Sequence, residues 1–395
     1  MHHPVHSPRA IGARGLTYNA WAAAVNVAQW IAGLSNRYCI DRVALDHGEM
    51  PVSVQFSYGA PPVFAFTIVR LTATDVQGVG EVLVPPNRFL EAYLQNLIGR
   101  DARALDSLLP ATDDDVDRIL CEAVSIALHD LVGRLSGLPV HALLGGAPRR
   151  NVPLMPCIFP GSADEAAQKA QHFFSKGFQN LKTKLSGHLH EDLQRVRAIR
   201  SVAPQGAELL GDANEGYKTL PDARHAVEAL GAAGLDIFED PLQGQVLDYQ
   251  KLKATGGARV MVDRLARRTT DLLAVLTAGA ADMINIHPDQ PGSLTLALHH
   301  VRLAQDFGVP VRIGGTGYTG VGTAAYQHLA AVATPGEPCG ELGGTVDHGM
   351  PAATVVEPLK VDQCHVLLGN TPGLGVELNL QTLEQYGTGH REWGR

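Results

Sequence analysis

The chain has 395 residues, 45% of them hydrophobic, and a formal net charge of -8. This is enough apolar content for a large buried core spread over about two domains, and the mild acidity argues against nucleic acid, whose phosphates want a basic surface. The five cysteines, Cys39, Cys121, Cys157, Cys339 and Cys364, are odd in number, scattered and without a CxxC pair, which points to reduced thiols in a cytoplasmic setting.

Residues 1–38 read as an N-terminal extension. His2, His3 and His6 belong to a flexible tail. Asn26 and Gln29 interrupt the alanine-rich run that follows, which falls far short of a membrane span. Val25, Trp30, Ile31 and Leu34 lie at helical spacing, so an amphipathic helix packed on the body or on a second subunit is expected. From residue 39 the pattern is extended, with the alternating run FAFTIVRLTATD at 64–75 preceded by a polar, glycine-bounded stretch at 46–59 that suits a mobile loop. Helical signals dominate residues 89–144. Asp113, Asp114 and Asp115 sit where a helix N-terminus favours negative charge, and Leu120, Val124, Ala127, Leu128, Leu131 and Leu135 recur at helical intervals as one buried face. Residues 39–150 therefore read as an α+β domain, ended by the glycine and proline punctuation of LLGGAPRRNVP.

Beyond that point short apolar runs alternate with helices. VPLMPCIFP, FQNLKTKLS, AELLGDANEG, LDIFEDPL, RVMVDRL, ADMINIHPD, VPVRIGG and EPCGELGG are strand candidates, separated by helical stretches such as 163–177 and 294–308. Eight such units predict an α/β fold with a TIM-type (β/α)8 barrel over 151–345, with a doubly wound open sheet as the competing architecture. Residues 346–395 look like a segment that returns to the first domain.

In a barrel the functional groups lie at the C-terminal ends of the strands. The second strand ends in Lys182 and Lys184, which point to one face because residues two apart in a strand do so. Two neighbouring ammonium groups repel, so each is expected to lower the other from about 10.4, and a lowered lysine can act as a base. The third strand ends with Asp212 and Asn214, the fourth with Glu239, the fifth with Asp263, the sixth with His287 and the eighth with Glu341. Singly, Asp212 could cap a helix, Glu239 could pair with an arginine and Asp263 could anchor Arg264. Together, three carboxylates converging on one mouth call for a cation, and hard oxygen ligands suit Mg²⁺ or Mn²⁺.

ALHDLVGRLSGLPVHALLGG (127–146), GDAN (211–214), FEDP (238–241) and the KxK pair resemble the enolase superfamily, and within it the mandelate racemase and muconate lactonizing enzyme family. The resemblance extends over nearly the whole chain from residue 39. It implies a modified barrel closed by an α+β capping domain that includes the chain's C-terminal end, and it implies a homo-oligomer acting on a small-molecule carboxylate. It also implies Mg²⁺ on Asp212, Glu239 and Asp263 gripping that carboxylate, Lys184 as the base that removes the α-proton to give an enediolate, and Lys182 as its electrostatic helper. Glu341 resembles a substrate-contacting glutamate, and Gln55 and Tyr58 lie in the segment expected to select the substrate.

The chain departs from the family at three places. His287 stands where the muconate lactonizing branch offers a second lysine, the seventh strand VRIGG lacks the mandelate racemase branch's histidine, and Arg264 replaces a commonly acidic residue. His287 either moves a proton, as its neutral titration range allows, or hydrogen-bonds substrate or Asp289. The glycine-rich GGTGYTGVG at 314–322 could present backbone N–H groups to an anion. The leading expectation is a Mg²⁺-dependent lyase that dehydrates a hydroxy acid or acid sugar, with Lys184 as base and His287 as acid. An isomerase, either an epimerase or a cycloisomerase, is the enzyme alternative, and a barrel kept only as a binding module is the non-catalytic one.

Overall fold

Val43, Leu45, Val69, Leu71, Val79 and Val82 are buried side chains of three consecutive strands, β1 (Arg42–Pro51), β2 (Val63–Ala73) and β3 (Val76–Val82). They form an antiparallel meander in the computed structural model, which describes residues 37–51, 63–146, 151–315, 317–334, 336–340 and 353–394. The expected N-terminal tail and helix, residues 52–59 of the expected mobile loop with Gln55 and Tyr58, and Glu341 lie outside the described residues, while 46–51 of that stretch belong to β1.

After α1 (Arg88–Leu97), the long helix α2 (Asp115–Ser136) lies on the sheet. Asp114 caps it, accepting from the N–H groups of Val116 and Asp117 at 2.9 and 3.0 Å, so the acidic run does occupy a helix N-terminus. The approach to β3 is so close that a Cβ on Gly80 would lie 1.8 Å from the Ala123 carbonyl oxygen. The predicted face of α2 is buried, and so are Cys121, Glu122, Ala123 and Ser125. The second cover is the barrel: Leu294 N–H donates to Ser125 Oγ at 3.1 Å.

The short helix α3 (Val140–Leu143) and strand β4 (Asn151–Pro153) lead into seven parallel strands. These are β5 (Cys157–Ile158), β6 (Asn180–Lys184), β7 (Glu208–Asp212), β8 (Ile237–Glu239), β9 (Arg259–Val262), β10 (Met283–Ile286) and β11 (Val311–Ile313), in sequential order. Between them and after β11 run α4 (Ala163–Ser175), α5 (Leu189–Val202), α6 (Leu220–Ala232), α7 (Val246–Lys253), α8 (Thr269–Thr277), α9 (Leu294–Asp306) and α10 (Val321–Ala333). The described part of the eighth expected strand, 337–340, forms a bridge that closes the ring. Gly340 N–H donates to Ile313 at 3.0 Å, Met155 N–H to Cys339 at 3.1 Å, and Cys339 N–H to Pro153 at 2.9 Å. Closure excludes the open doubly wound sheet. Strands β12 (Val361–Asp362) and β13 (His365–Leu367) add to β4, and after α11 (Leu380–Tyr386) the last strand, β14 (Gly387–Gly394), pairs antiparallel with β1. The chain's end therefore returns to the first sheet.

Period-two alternation builds the lumen in layers. Its floor is ionic: Arg312 Nε meets Glu337 at 3.0 Å, its Nη2 meets Glu208, and Arg259 meets Glu208 at 2.7 Å. The middle is the apolar cluster Met155, Leu210, Ile237, Met261 and Met283. The C-terminal mouth is charged again. All five cysteines are free, and among the described residues no helix is long and apolar enough to cross a membrane.

On the outer side of the barrel, His141 and His328 stack at 5.0 Å between ring centroids, with Nδ1 atoms 2.9 Å apart. Burial and the neighbouring His141 depress the His328 imidazole to about 3. Between that value and about 6.5 the unfolded chain binds a proton that the native one refuses, so stability falls as pH drops through this window, by up to about 1.4 kcal/mol per pH unit. The substitution His328→Gln is expected to flatten the slope of urea midpoints measured from about pH 7.5 down to about 5. An unchanged slope would assign the acid sensitivity to other groups.

Candidate active site

β6 delivers Lys182 and Lys184 to the mouth on one face, and the pairing register sets Lys184 beside Asp212 and Asp212 beside Glu239. Lys182 Nζ lies 2.7 Å from Glu239 Oε2 and 2.9 Å from Asp212 Oδ2. Lys184 Nζ donates to Asp212 Oδ2 at 2.6 Å and to Asn214 Oδ1 at 3.0 Å. The expected mutual lowering of the two lysines therefore fails for Lys182. Burial would lower its ammonium, but Asp212 and Glu239 outweigh that and hold it well above the usual lysine range. Burial would raise Asp212, and the two ammonium groups override it and keep the carboxyl low. Glu239 is pushed up by burial and by Asp212.

Asp263 follows β9 and His287 follows β10, and one ligand atom from each of Glu239, Asp263 and His287 lies within 4.8 Å of the others. His287 Nε2 is 3.8 Å from Asp263 Oδ2, and its Nδ1 is 3.9 Å from Asp289 Oδ1. Among the described residues the side chains clustered as a metal ion would need are thus Glu239, Asp263 and His287, while Asp212 Oδ2 is shared by the two lysines. Asp212, Glu239 and Asp263 still project from adjacent strand ends into one mouth. This hard, carboxylate-rich donor set fits a divalent cation such as Mg²⁺, whose charge would relieve the crowding of acids.

Several residues that position these groups escaped the sequence reading. Asn285 Nδ2 donates to Glu239 Oε1 at 2.7 Å and to His287 Nε2 at 3.0 Å, and Gln290 Nε2 donates to Asp263 Oδ1 at 2.5 Å. Asp240 is fully buried behind Glu239, with φ of 40°, and accepts the backbone N–H groups of Asp263 and Arg264 at 3.0 Å each. Burial, with Asp263 and Glu239 nearby, holds its carboxyl well above the usual range. Asn285 could have been found two residues before His287 on the same strand face. Asp240 could not, because it alternates away from the lumen.

A cavity of about 250 Å³ opens over the mouth, lined by Lys182, Lys184, Asp212, Asp263 and His287 among others. A smaller one of about 70 Å³ runs down the lumen from the same lysines, past Cys157, Met261 and Asn285, to Arg312. The glycine-rich loop borders both through Gly315. The anion that its Thr319 and Gly322 N–H groups meet is a carboxylate of the chain itself. They donate to Glu81 of β3 at 3.0 and 2.8 Å.

β6 and β10 stand four places apart in a ring of eight, so Lys184 and His287 enter the same cavity from opposite sides of the barrel. With this arrangement, comparison with known proteins gives a consistent family. The Enolase C-terminal domain-like family model matches residues 165–382. Muconate cycloisomerase 1 of Rhodococcus opacus is 30% identical over 340 residues, 80% of this chain and 88% of that one. D-galactarolactone cycloisomerase of Agrobacterium fabrum is 30% identical over 360 residues, 82% of this chain and 91% of that one. The crystal structure of N-succinyl Arg/Lys racemase from Bacillus cereus shares the fold, with a TM-score of 0.80 over 90% of this chain and 100% of that one at 20% identity. The chain belongs to the enolase superfamily, in its mandelate racemase and muconate lactonizing enzyme family.

Proposed function

We propose that the protein is a Mg²⁺-dependent isomerase, an epimerase or a cycloisomerase, acting on the α-carbon of a carboxylate substrate. The observation that carries this reading is the placement of Lys184 and His287 in the wall of one cavity, from strands that face each other across the barrel. Two proton-moving groups on opposite faces can add and remove a proton at one carbon without losing a substituent. The two 30% identical relatives are both named as cycloisomerases. They support isomerisation better than the elimination that the sequence put first, and as enzymes they favour catalysis over a binding module.

Asp212, Glu239 and Asp263 would hold the cation, which supplies Lewis-acid polarisation of the substrate carboxylate when bound. Lys184 takes the α-proton. Lys182, held as an ammonium by Asp212 and Glu239, stands beside the second negative charge as it develops. Asn285 fixes the His287 ring through Nε2, which leaves the Nδ1 proton toward Asp289. Met155, Leu210 and Met261 give the lumen below the lysines an apolar lining.

The test is proton NMR in D₂O with Mg²⁺ over hydroxy acids, sugar acids, N-acyl amino acids and unsaturated diacids, with and without EDTA. The expected result is a cation-dependent deuterium label at an otherwise unchanged carbon, or a lactone formed from an unsaturated acid. A 2-keto product would restore the elimination reading and overturn this one.

A further inference from the structure

We propose that His287 gives the mouth a second metal site, in which a divalent ion that favours nitrogen ligands, Zn²⁺ above all, binds Glu239, Asp263 and His287 and leaves Asp212 to the lysines. One ligand atom from each of the three side chains lies within 4.8 Å of the others. The proposal goes beyond the Mg²⁺ reading, because Mg²⁺ takes oxygen ligands whereas an imidazole suits zinc. Two carboxylates alone would not carry it; the bonding of His287 does.

The first feature is the nitrogen that the ring turns toward the cluster. Asn285 Nδ2 donates to Glu239 Oε1 at 2.7 Å and to His287 Nε2 at 3.0 Å. The opposite amide orientation would set Asn285 Oδ1 against the Glu239 carboxylate, acceptor against acceptor. Nε2 therefore receives a hydrogen bond, which requires a lone pair on that atom and the ring proton on Nδ1. Asp263 Oδ2 lies 3.8 Å from the same nitrogen. Ligand atoms about 2.1 Å from one zinc ion stand about 3.4 Å apart in a tetrahedron. A small closure of this pair is enough to seat the ion.

The second feature stands behind the ring. His287 Nδ1 faces Asp289 Oδ1 at 3.9 Å. Asp289 is 7% exposed, and its Oδ1 has no hydrogen-bond partner. A histidine that ligates a metal almost always gives its other N–H to a carboxylate, a carbonyl or water, which fixes the tautomer and makes the ring a stronger ligand. A metal on Nε2 in turn draws charge from the ring and sharpens Nδ1–H as the donor that Asp289 lacks. Asp212 is not needed for this. Its Oδ2 is held by Lys184 at 2.6 Å and by Lys182 at 2.9 Å, and an ion on the other three side chains leaves both contacts in place. Where the isomerase reading holds, such an ion takes the ring out of proton transfer and shares Glu239 and Asp263 with Mg²⁺, which makes zinc an inhibitor.

The experiment is calorimetric titration of the chelator-treated full chain with ZnCl₂ and, separately, with MgCl₂, in the absence of any substrate. Wild type and His287→Gln carry the same other histidines, so the difference between them isolates this site. The wild type is expected to hold one zinc equivalent that His287→Gln binds at least tenfold more weakly, while its Mg²⁺ affinity stays within about twofold. Asp289→Asn keeps the side-chain shape and is expected to weaken the same zinc equivalent by about tenfold, again with Mg²⁺ unchanged; it serves as the second variant should His287→Gln melt early. Asp212→Asn is expected to show the opposite pattern, with Mg²⁺ weakened far more than zinc. Zinc affinity unchanged in both His287→Gln and Asp289→Asn, or lost in step with Mg²⁺ affinity, overturns the proposal. The titrations also separate it from the reading above. If Mg²⁺ fails to bind the wild type while zinc is weakened in His287→Gln, the zinc site stands and the Mg²⁺ reading falls; the reverse result leaves that reading intact and removes the zinc site.

Discussion

Lys184→Ala is expected to lower turnover by about 10²- to 10⁴-fold, the usual contribution of a positioned general base, while strengthening cation binding. The opposite signs follow from one contact. Lys184 Nζ sits 2.6 Å from Asp212 Oδ2 and competes for the oxygen that the cation needs. Removing the side chain frees that oxygen from its hydrogen bond, so the Mg²⁺ dissociation constant, read by calorimetry, is expected to fall. Lys182 still pairs with Asp212 at 2.9 Å in the variant, so the acid is not left alone and the fold is expected to hold. Falling activity with a matching loss of cation affinity would show that Lys184 only organises the metal site. Activity within a few-fold of wild type would remove it from the chemistry altogether.

The mouth was legible because its grammar is local. A barrel strand shows its inward residues at every second position and its chemistry at its C-terminal end, so Lys182, Lys184, Asp212, Glu239, Asp263 and His287 could be read off one strand at a time. Whatever depends on which strands are neighbours could not. The KxK spacing shows that two ammonium groups are close, and it says nothing of Asp212 and Glu239 across the pairing register, which reverse the expected direction for Lys182. Asp240 was hidden by alternation: it points away from the lumen, where it accepts from the Asp263 and Arg264 amides and fixes the backbone that carries Asp263. Of the eighth strand, EPCGELGG, only 337–340 are among the described residues, and their hydrogen bonds close the ring. The glycine-rich loop showed free amides without showing what they meet. That partner is a glutamate of the first sheet, more than two hundred residues earlier.

That glutamate carries the second large expected effect. Glu81 on β3 is fully buried and accepts from Thr319 N–H at 3.0 Å, Thr319 Oγ1 at 2.5 Å, Gly322 N–H at 2.8 Å and Thr354 Oγ1 at 3.1 Å. The N-cap of α10 is Gly320, which has no side chain with which to satisfy the first turn. Glu81 therefore caps a barrel helix from the neighbouring sheet, where a carboxylate is favoured by the helix dipole. It also ties that sheet to the loop whose Gly314, Gly315 and Gly317 border the lumen cavity. Glu81→Ala strands two amides and two hydroxyls in a dry place, and one unpaired buried donor alone costs about 1–3 kcal/mol. The expected loss of stability is at least about 3 kcal/mol, read from urea midpoints, with a rise in KM as the loop loosens. Glu81→Gln keeps one acceptor oxygen but turns an NH₂ group toward donors, so it is expected to fall between wild type and Glu81→Ala. If both variants kept wild-type stability, the contact would be a packing accident, and the shared apolar core and contacts such as Leu294 N–H to Ser125 Oγ would hold the two parts of the chain together.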